Sequence, residues 1–474
     1  MKKLIFLFIV SIAGNILAQN NILSLSQCID YAYKNSIEIK LQEISTDILL
    51  LQKKQALFSF LPTFSGSFSH AYQYGRSIDP FTNQFALEKV QTDNLYASGD
   101  VLVFQGFYLV NQWKKKKLEY ENGQLNIEVS KRDIALAIAT AYLQVLFYRE
   151  EYERALRALE NSIAQVNKTK LSYEIGQLAK DYLLQMEAQQ AADEAQVQNM
   201  LNQLQLAKLT LKQLMNYQDT TYFDIISPNE NLLQDTSFLL TQSSETIYQQ
   251  ALQNYPSLKV SENNVTLAKY DLRMSRSLFY PSIRLYSNFG TGYSSARKQI
   301  SNITFVGFDT LGVTSESMNE YVLSPAFSYN YEIIPFRKQW EDNFNKTVGI
   351  TLSIPLFNKF NAHINTSMAK LKIQNMQLQL DQQRWELKKN IEKSYYDALA
   401  ALSNYRALNK QKQAQEEVFK AIQYKFNTGK ASPFEYNDAK NKLQQTEADL
   451  NKVKYELIFR IKILEFYMGK EISL

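Results

Sequence analysis

KTVGITLSIPLFN, residues 346–358, changes period halfway along. Val348, Ile350, Leu352 and Ile354 alternate with Thr347, Gly349, Thr351 and Ser353, the period-two pattern of a strand with one apolar face. Beyond Pro355 there is no proline between Leu356 and Ser432, and Ile350 to Thr428 contains no glycine. A strand of about ten residues therefore feeds a very long helix. The same order stands earlier in the chain. No proline lies between Phe81 and Ser227, and Gly123 is the only glycine between Phe107 and Ile175. A helix from about Tyr108 to Glu174 would measure about 100 Å at ~1.5 Å per residue.

The two passages belong to one unit written twice. A shift of 219 pairs Ala32 with Ala251, Asn35 with Asn254, Lys40 with Lys259 and Pro62 with Pro281. Further on the shift becomes 253 and pairs Phe104 with Phe357, Tyr142 with Tyr395, Gly176 with Gly429 and Met215 with Met468. The difference between the shifts is a net insertion of 34 residues, between Pro281 and Phe357 of the second copy. Each copy reads as helix, strand, loop, strand, long helix, sharp turn, helix. The expected repeats are 19–235, with strands near 63–76 and 95–104 and a helical hairpin to about 217, and 236–474, with strands near 282–294 and 346–355 and a hairpin to about 468. On the returning helices Leu183, Val197, Leu204 and Leu211 fall in sevenfold register. Tyr436, Leu443, Leu450, Leu457 and Leu464 continue it in the second copy, so these helices pack side by side in coiled-coil fashion.

In the first strand Phe64, Phe68, Tyr72 and Tyr74 stand on one side, and Ser65, Ser67, Ser69 and Gln73 on the other. Such alternation fits a transmembrane barrel strand, or a half-buried strand of an ordinary sheet. Four strands cannot close a barrel, and the smallest transmembrane barrels use about eight. Several copies would share one barrel; an interior of about eight strands is filled by side chains, so a conducting pore needs at least three chains. The expected fold is mainly α with a transmembrane β-barrel portion.

Lys2 and Lys3 precede the apolar run Leu4 to Val10, and Ile16 and Ala18 occupy the positions that signal peptidase reads. Residues 1–18 therefore read as a signal peptide. Cys28, the single cysteine, lies past that site and can form no internal disulfide. Mean hydropathy is −0.33. The chain carries 52 Lys and Arg against 47 acids, and Lys114 to Lys117 is its one basic block. A polyanion-binding role, nucleic acid included, is not indicated.

Together these features resemble the TolC-type outer-membrane efflux family over nearly the whole mature chain. The repeat opens with Leu23-Ser24-Leu25-Ser26-Gln27-Cys28-Ile29-Asp30-Tyr31-Ala32, and Pro355-Leu356-Phe357-Asn358 matches the strand-end fingerprint, which the first copy keeps only as Val103-Phe104-Gln105-Gly106. Tyr173 to Asp181 and Phe426 to Glu435 match the helical-hairpin fingerprint. The opening and the Gln19 start are similar to those of Bacteroidetes members. The resemblance implies a homotrimer with a twelve-stranded barrel among outer-membrane lipid, a helical tunnel across the periplasm, and a periplasmic adaptor leading to an inner-membrane pump. Family members carry drugs, metal ions or secreted proteins, the last in type I secretion. The hairpin tips (Ile175, Gly176, Gln177 and Leu178; Thr428, Gly429, Lys430 and Ala431) would touch the adaptor. Acidic residues just inside them, Glu435, Asp438 and Asp181, would ring the entrance. Crowded like charges there would raise some of their pKa values. Ala431 stands where the family's latch expects a basic residue, and Tyr182 where the first copy expects an acid.

No nucleophile elbow, Walker loop, dinucleotide fingerprint or metal-ligand spacing occurs, so no catalytic residue, metal site or cofactor is expected. His70 and His363 are isolated, one on an expected strand and one at the start of a long helix. Two competing readings are a periplasmic adaptor and an exported coiled-coil structural protein. Neither needs doubled strand pairs with aromatic faces.

Overall fold

The computed structural model describes residues 21–75, 77–78, 83, 85–86, 89–218, 223–227, 242–316 and 320–470. The expected signal peptide, 1–18, lies outside these residues, as do Arg76 and part of the junction between the repeats. In chain order the elements are β1 (Asn21–Leu23), α1 (Leu25–Asn35), α2 (Ile37–Phe58), β2 (Thr63–Gln73), β3 (Ser77–Ile78), β4 (Phe85–Ala86), β5 (Val90–Gln105), α3 (Tyr108–Glu174), α4 (Lys180–Leu214) and β6 (Phe223–Ile225). The second half holds α5 (Ser244–Asn254), α6 (Pro256–Arg276), β7 (Ser282–Ser294), β8 (Lys298–Val313), β9 (Tyr321–Ile333), α7 (Phe336–Asp342), β10 (Asn345–Ser353), α8 (Asn361–Asn427) and α9 (Pro433–Tyr467).

The duplication is visible in the backbone. Helices α3 and α8 each have 67 residues, and α4 and α9 each have 35. Left-handed backbone recurs at the shift of 253 read from the sequence: Gly106 and Phe107 match Lys359 and Phe360 at the strand-to-helix turns, and Asn216 matches Gly469 after the returning helices. At the tips Gly176 and Gly429 have φ of +75° and +73°. The six-residue closing bonds also repeat, from the Gln177 N–H to the Ser172 carbonyl (2.9 Å) and from the Lys430 N–H to the Lys425 carbonyl (2.8 Å). Both hairpins thus end their first helix in a Schellman turn with glycine at the left-handed position.

The chain divides into two compact units. The first comprises the described residues up to Leu50, Leu118–Thr266, and those from Ile373 on. Its core has two related parts. Around α1, the buried side chains of Cys28, Ala32, Ile138, Tyr142, Leu211 and Ile225 pack together. Around α5, Ile247, Ala251, Ile391, Leu457 and Leu464 do the same. Each repeat therefore begins with a short helix laid on its own long pair. Ser24 starts α1 with a reciprocal capping box: its hydroxyl accepts the Gln27 N–H, and the Gln27 side chain accepts the Ser24 N–H. The parallel pair β1–β6 clasps this end, and the Tyr142 hydroxyl donates to the Ile226 carbonyl at 2.6 Å. Cys28 is fully buried, and burial pushes its thiol up to about 12.

The second unit, Leu51–Lys117 and Leu267–Lys372, holds an antiparallel four-stranded sheet of order β10-β7-β5-β2. The expected strands are all present, with β5 starting at Val90 rather than near residue 95 and β2 ending at Gln73. The expectation of a plain loop in the second copy needs correction. That segment forms the long hairpin β8–β9 and the helix α7, which together account for the insertion.

Candidate channel site

The register of the four strands fixes which side chains share a face, because directly paired residues in antiparallel strands point the same way. One face carries Phe64 and Phe68 of β2, Leu95, Ala97 and Val101 of β5, Ile283, Leu285 and Phe289 of β7, and Val348, Ile350 and Leu352 of β10. The opposite face carries Ser65, Ser67 and Ser69, Ser98 and Asp100, Arg284 and Asn288, and Thr347 and Thr351. The polar face is internally bonded. The Thr63 hydroxyl donates to Asp100 at 2.6 Å, Arg284 to Asp100 at 3.0 Å, and the hydroxyls of Ser65 and Ser98 lie 2.8 Å apart. This division, one apolar and one polar face over four strands, is the one a wall between lipid and an aqueous lumen requires. Aromatic rings cover three strand glycines across the ladder: Phe64 over Gly99, Tyr96 over Gly290 and Tyr286 over Gly349. Tyr96 and Tyr286 belong to the polar face, which is why β5 and β7 alternate less cleanly in the sequence. A register shift between Leu102 and Phe104 adds to this.

Among the described residues neither edge of the sheet has a strand partner: β2 lies at one edge and β10 at the other. Open edges in hydrocarbon would leave N–H and C=O groups unsatisfied, the condition that closure into a barrel removes. The helices continuous with those edges carry unpartnered apolar stripes. On α2, which runs into β2, Ile37, Leu41, Ile44, Ile48 and Leu51 are exposed at alternating spacings of four and three. On α8, which follows β10, Ile364, Met368, Leu371, Leu378 and Trp385 are exposed in the same heptad phase.

At the tips, an added Cβ on Gly176 or Gly429 would meet nothing within 4 Å. Their requirement for glycine is therefore conformational. Ile175, Tyr424 and Phe434 stand exposed around them. Just inside, Tyr436 is buried and stacks on Phe426 at 4.8 Å, in a cluster with Val166, Leu183 and Met186 that joins the two helical hairpins. Lys168 donates to the Asn427 side chain at 2.7 Å across the same junction.

The three expected entrance acids have different surroundings. Glu435 closes a capping box, its carboxylate accepting the Ser432 N–H at 2.7 Å while the Ser432 hydroxyl accepts the Glu435 N–H at 3.2 Å. Those bonds, the backbone one first, hold Glu435 below the ordinary glutamate value. In the single chain the shift is thus opposite to the rise expected from crowded acids. Asp438 pairs with Lys442 at 2.8 Å, one turn along α9. Asp181 is exposed in the first turn of α4, whose N-cap, Ala179, supplies no side-chain bond.

Sequence reading missed a buried polar junction deeper in the hairpins. Lys440 of α9 donates to Asp193 of α4 and Ser162 of α3, each at 2.6 Å, and Gln189 donates to the other Asp193 oxygen at 3.0 Å. Ser162 also donates to Asp193. The partners lie about 30 to 280 positions apart, and no motif links them. His70 lies on β2 with its Nδ1 2.5 Å from Asp93, and His363 lies in the first turn of α8. Among the described residues no group of His, Cys, Asp and Glu could hold a metal ion.

A sheet with one apolar face, one polar face and two open edges, together with two long helical hairpins, is the set of elements found in solved outer-membrane channels. Residues 247–470 match the family model described as outer membrane efflux protein. Structures of the same fold include the CmeC outer membrane channel of Campylobacter jejuni (15% identity, 95% of this chain and 86% of that one, TM-score 0.70). Others are the outer membrane protein VceC of Vibrio cholerae (14%, 94% and 96%, 0.70) and a membrane protein of Pseudomonas aeruginosa (13%, 96% and 93%, 0.73). No curated protein matches by sequence. The second repeat thus matches the outer membrane efflux protein family by sequence, and the chain as a whole shares the fold of solved outer-membrane channels.

Proposed function

We propose that three copies form one duct, a passive exit path from a periplasmic adaptor and inner-membrane pump through the outer membrane. One observation carries the reading: the helices adjoining the two edge strands in the chain, α2 before β2 and α8 after β10, each carry an exposed heptad stripe. Pairing β10 of one copy with β2 of the next brings α8 of the first beside α2 of the second. A single interface then satisfies the backbone edges and covers both stripes. Three copies supply twelve strands, enough for an open lumen where eight would be filled. The passive role accords with a polar inner sheet face and with the family.

The adaptor-contacting surface we assign to Ile175, Gly176, Gln177 and Leu178 together with Thr428, Gly429, Lys430 and Ala431, where exposed apolar side chains surround two rigid turns. Glu435, Asp438 and Asp181 are assigned to the entrance; the Glu435 cap and the Asp438–Lys442 pair would fix their carboxylates at the rim. Ile44→Asp and Leu371→Asp test the interface, since each puts a charge into one stripe without touching a core. Each variant is expected to leave the detergent-extracted protein as smaller species in sedimentation, whereas Lys370→Ala, beside the stripe, stays assembled. Assembly unchanged in both stripe variants would remove this interface.

A further inference from the structure

The hairpin β8–β9 has no role in the duct as described, yet it is strongly two-faced. Its strands pair from Lys298–Ile333 to Val313–Tyr321, with register shifts after Ile300, Phe305 and Thr310. Those three shifts each skip one β8 residue: Ser301, Val306 and Leu311. With them, one face collects Ile300, Ile303, Phe305 and Phe308 opposite Tyr331, Tyr329, Phe327 and Pro325, and continues to Leu323 and Tyr321. The other face carries Gln299, Asn302, Thr304 and Asp309 opposite Glu332, Asn330, Ser328 and Ser324. The aromatic face is internally packed, with Phe305 edge-on to Phe308 and Phe327 at 5.2 and 5.8 Å, but its large side chains remain exposed. An exposed aromatic face of this extent marks an interaction surface.

The base of the hairpin shows which way that face turns. It leaves β7 at the end remote from the helices and is held there by α7, whose Gln339 is fully buried and bonds the Ser294 N–H and carbonyl and the Ile334 carbonyl. Helix α7 lies on the apolar, outward side of β7: Thr291 donates to the Trp340 carbonyl at 2.6 Å, and the Tyr293 and Phe336 rings are 5.3 Å apart. From there Lys338 reaches Gln299 on the polar face of the hairpin, at 3.2 Å. At its base, then, the polar face turns outward and the aromatic face turns away from α7, toward the lumen side. A lipid surface is the poorer occupant for a further reason. Residues 298–333 hold one lysine against four acids, an unfavourable balance for an anionic leaflet.

Resting on the trimeric duct, we propose that the aromatic faces of β8–β9 from neighbouring copies pack on one another over the outer mouth, forming an apolar gate on the external side. Reach permits it. Twelve strands at ~4.8 Å spacing and ~40° tilt enclose a radius of about 12 Å, whereas 13 residues of β9 extend about 43 Å. The closed state has an aromatic core, and passage requires the hairpins to part, as in constrictions that gate by dewetting.

Phe327→Cys and Ser328→Cys are neighbours in β9 on opposite faces, and the native Cys28 is buried. Each variant, extracted as the assembled protein and checked for three copies by native mass spectrometry, is treated with a short bismaleimide. Phe327→Cys should become covalent dimer on denaturing gels, and Ser328→Cys should stay monomeric. In bilayers, the variant Phe305→Ser, Phe327→Ser, Tyr329→Ser should conduct more than the unaltered protein. Trimeric samples in which Phe327→Cys stays uncrosslinked, or in which the triple variant conducts as before, overturn the gate and leave the duct standing. Samples that are not trimeric overturn the duct itself.

Discussion

Lys440→Met should loosen the junction between the two helical hairpins. The Lys440 and Asp193 side chains are only 7% and 9% exposed, and the ammonium sits 2.6 Å from the carboxylate. Removing the cation leaves Asp193 a buried charge still bonded to Ser162 and Gln189. Breaking one side of a buried pair costs about 3–5 kcal/mol, and the two remaining bonds place this site near the lower figure. About 3 kcal/mol is roughly a hundredfold in a local opening equilibrium. Hydrogen exchange read by mass spectrometry on peptides covering Tyr436 to Leu443 should lose about that much protection in the detergent-extracted protein. Adding Asp193→Leu to Lys440→Met should restore most of it, because the uncompensated charge is then gone. Protection within about threefold of the unaltered protein, roughly 0.6 kcal/mol, would show that this pair does not hold the hairpins together.

Gly176→Val and Gly429→Val should each strain a left-handed turn by about 1–2 kcal/mol and weaken adaptor capture while leaving membrane insertion intact, as read by pull-down and membrane fractionation. Glu435→Gln, Asp438→Asn should abolish cation preference in single-channel recordings; unchanged selectivity would place both acids away from the entrance. Asp224 gives a pH test. Burial raises its pKa, but the Ile225 N–H, Lys208 and Arg149 outweigh that and leave it below the ordinary aspartate value. A depressed acid stabilises above its unfolded pKa and loses that contribution as pH falls through the folded one. The β1–β6 clasp should therefore weaken below about pH 4, and Asp224→Asn should flatten that part of a thermal-melt profile against pH.

The long helices were legible because breakers are absent over them: the expected span from Tyr108 to Glu174 is that of α3. The tips were legible because a left-handed C-terminal turn selects glycine. The hairpin β8–β9 was not, because its three bulges interrupt the period of two, so that Val306 and Leu311 fall between apolar positions rather than on them. The Glu435 cap was readable in principle, since Ser432-Pro433-Phe434-Glu435 is a capping-box pattern with proline at the first helical position. The junction of Ser162, Asp193 and Lys440 carries no local signal. Its members become neighbours only when three separate helices pack.

In the proposed duct the four-stranded sheet is one part of a barrel shared between copies. Native mass spectrometry of the protein extracted from outer membranes, with the same sample reconstituted for single-channel recording, tests it most directly. Three copies per particle are expected, with conductance confined to that species. A single copy that inserts into the bilayer and conducts would contradict it.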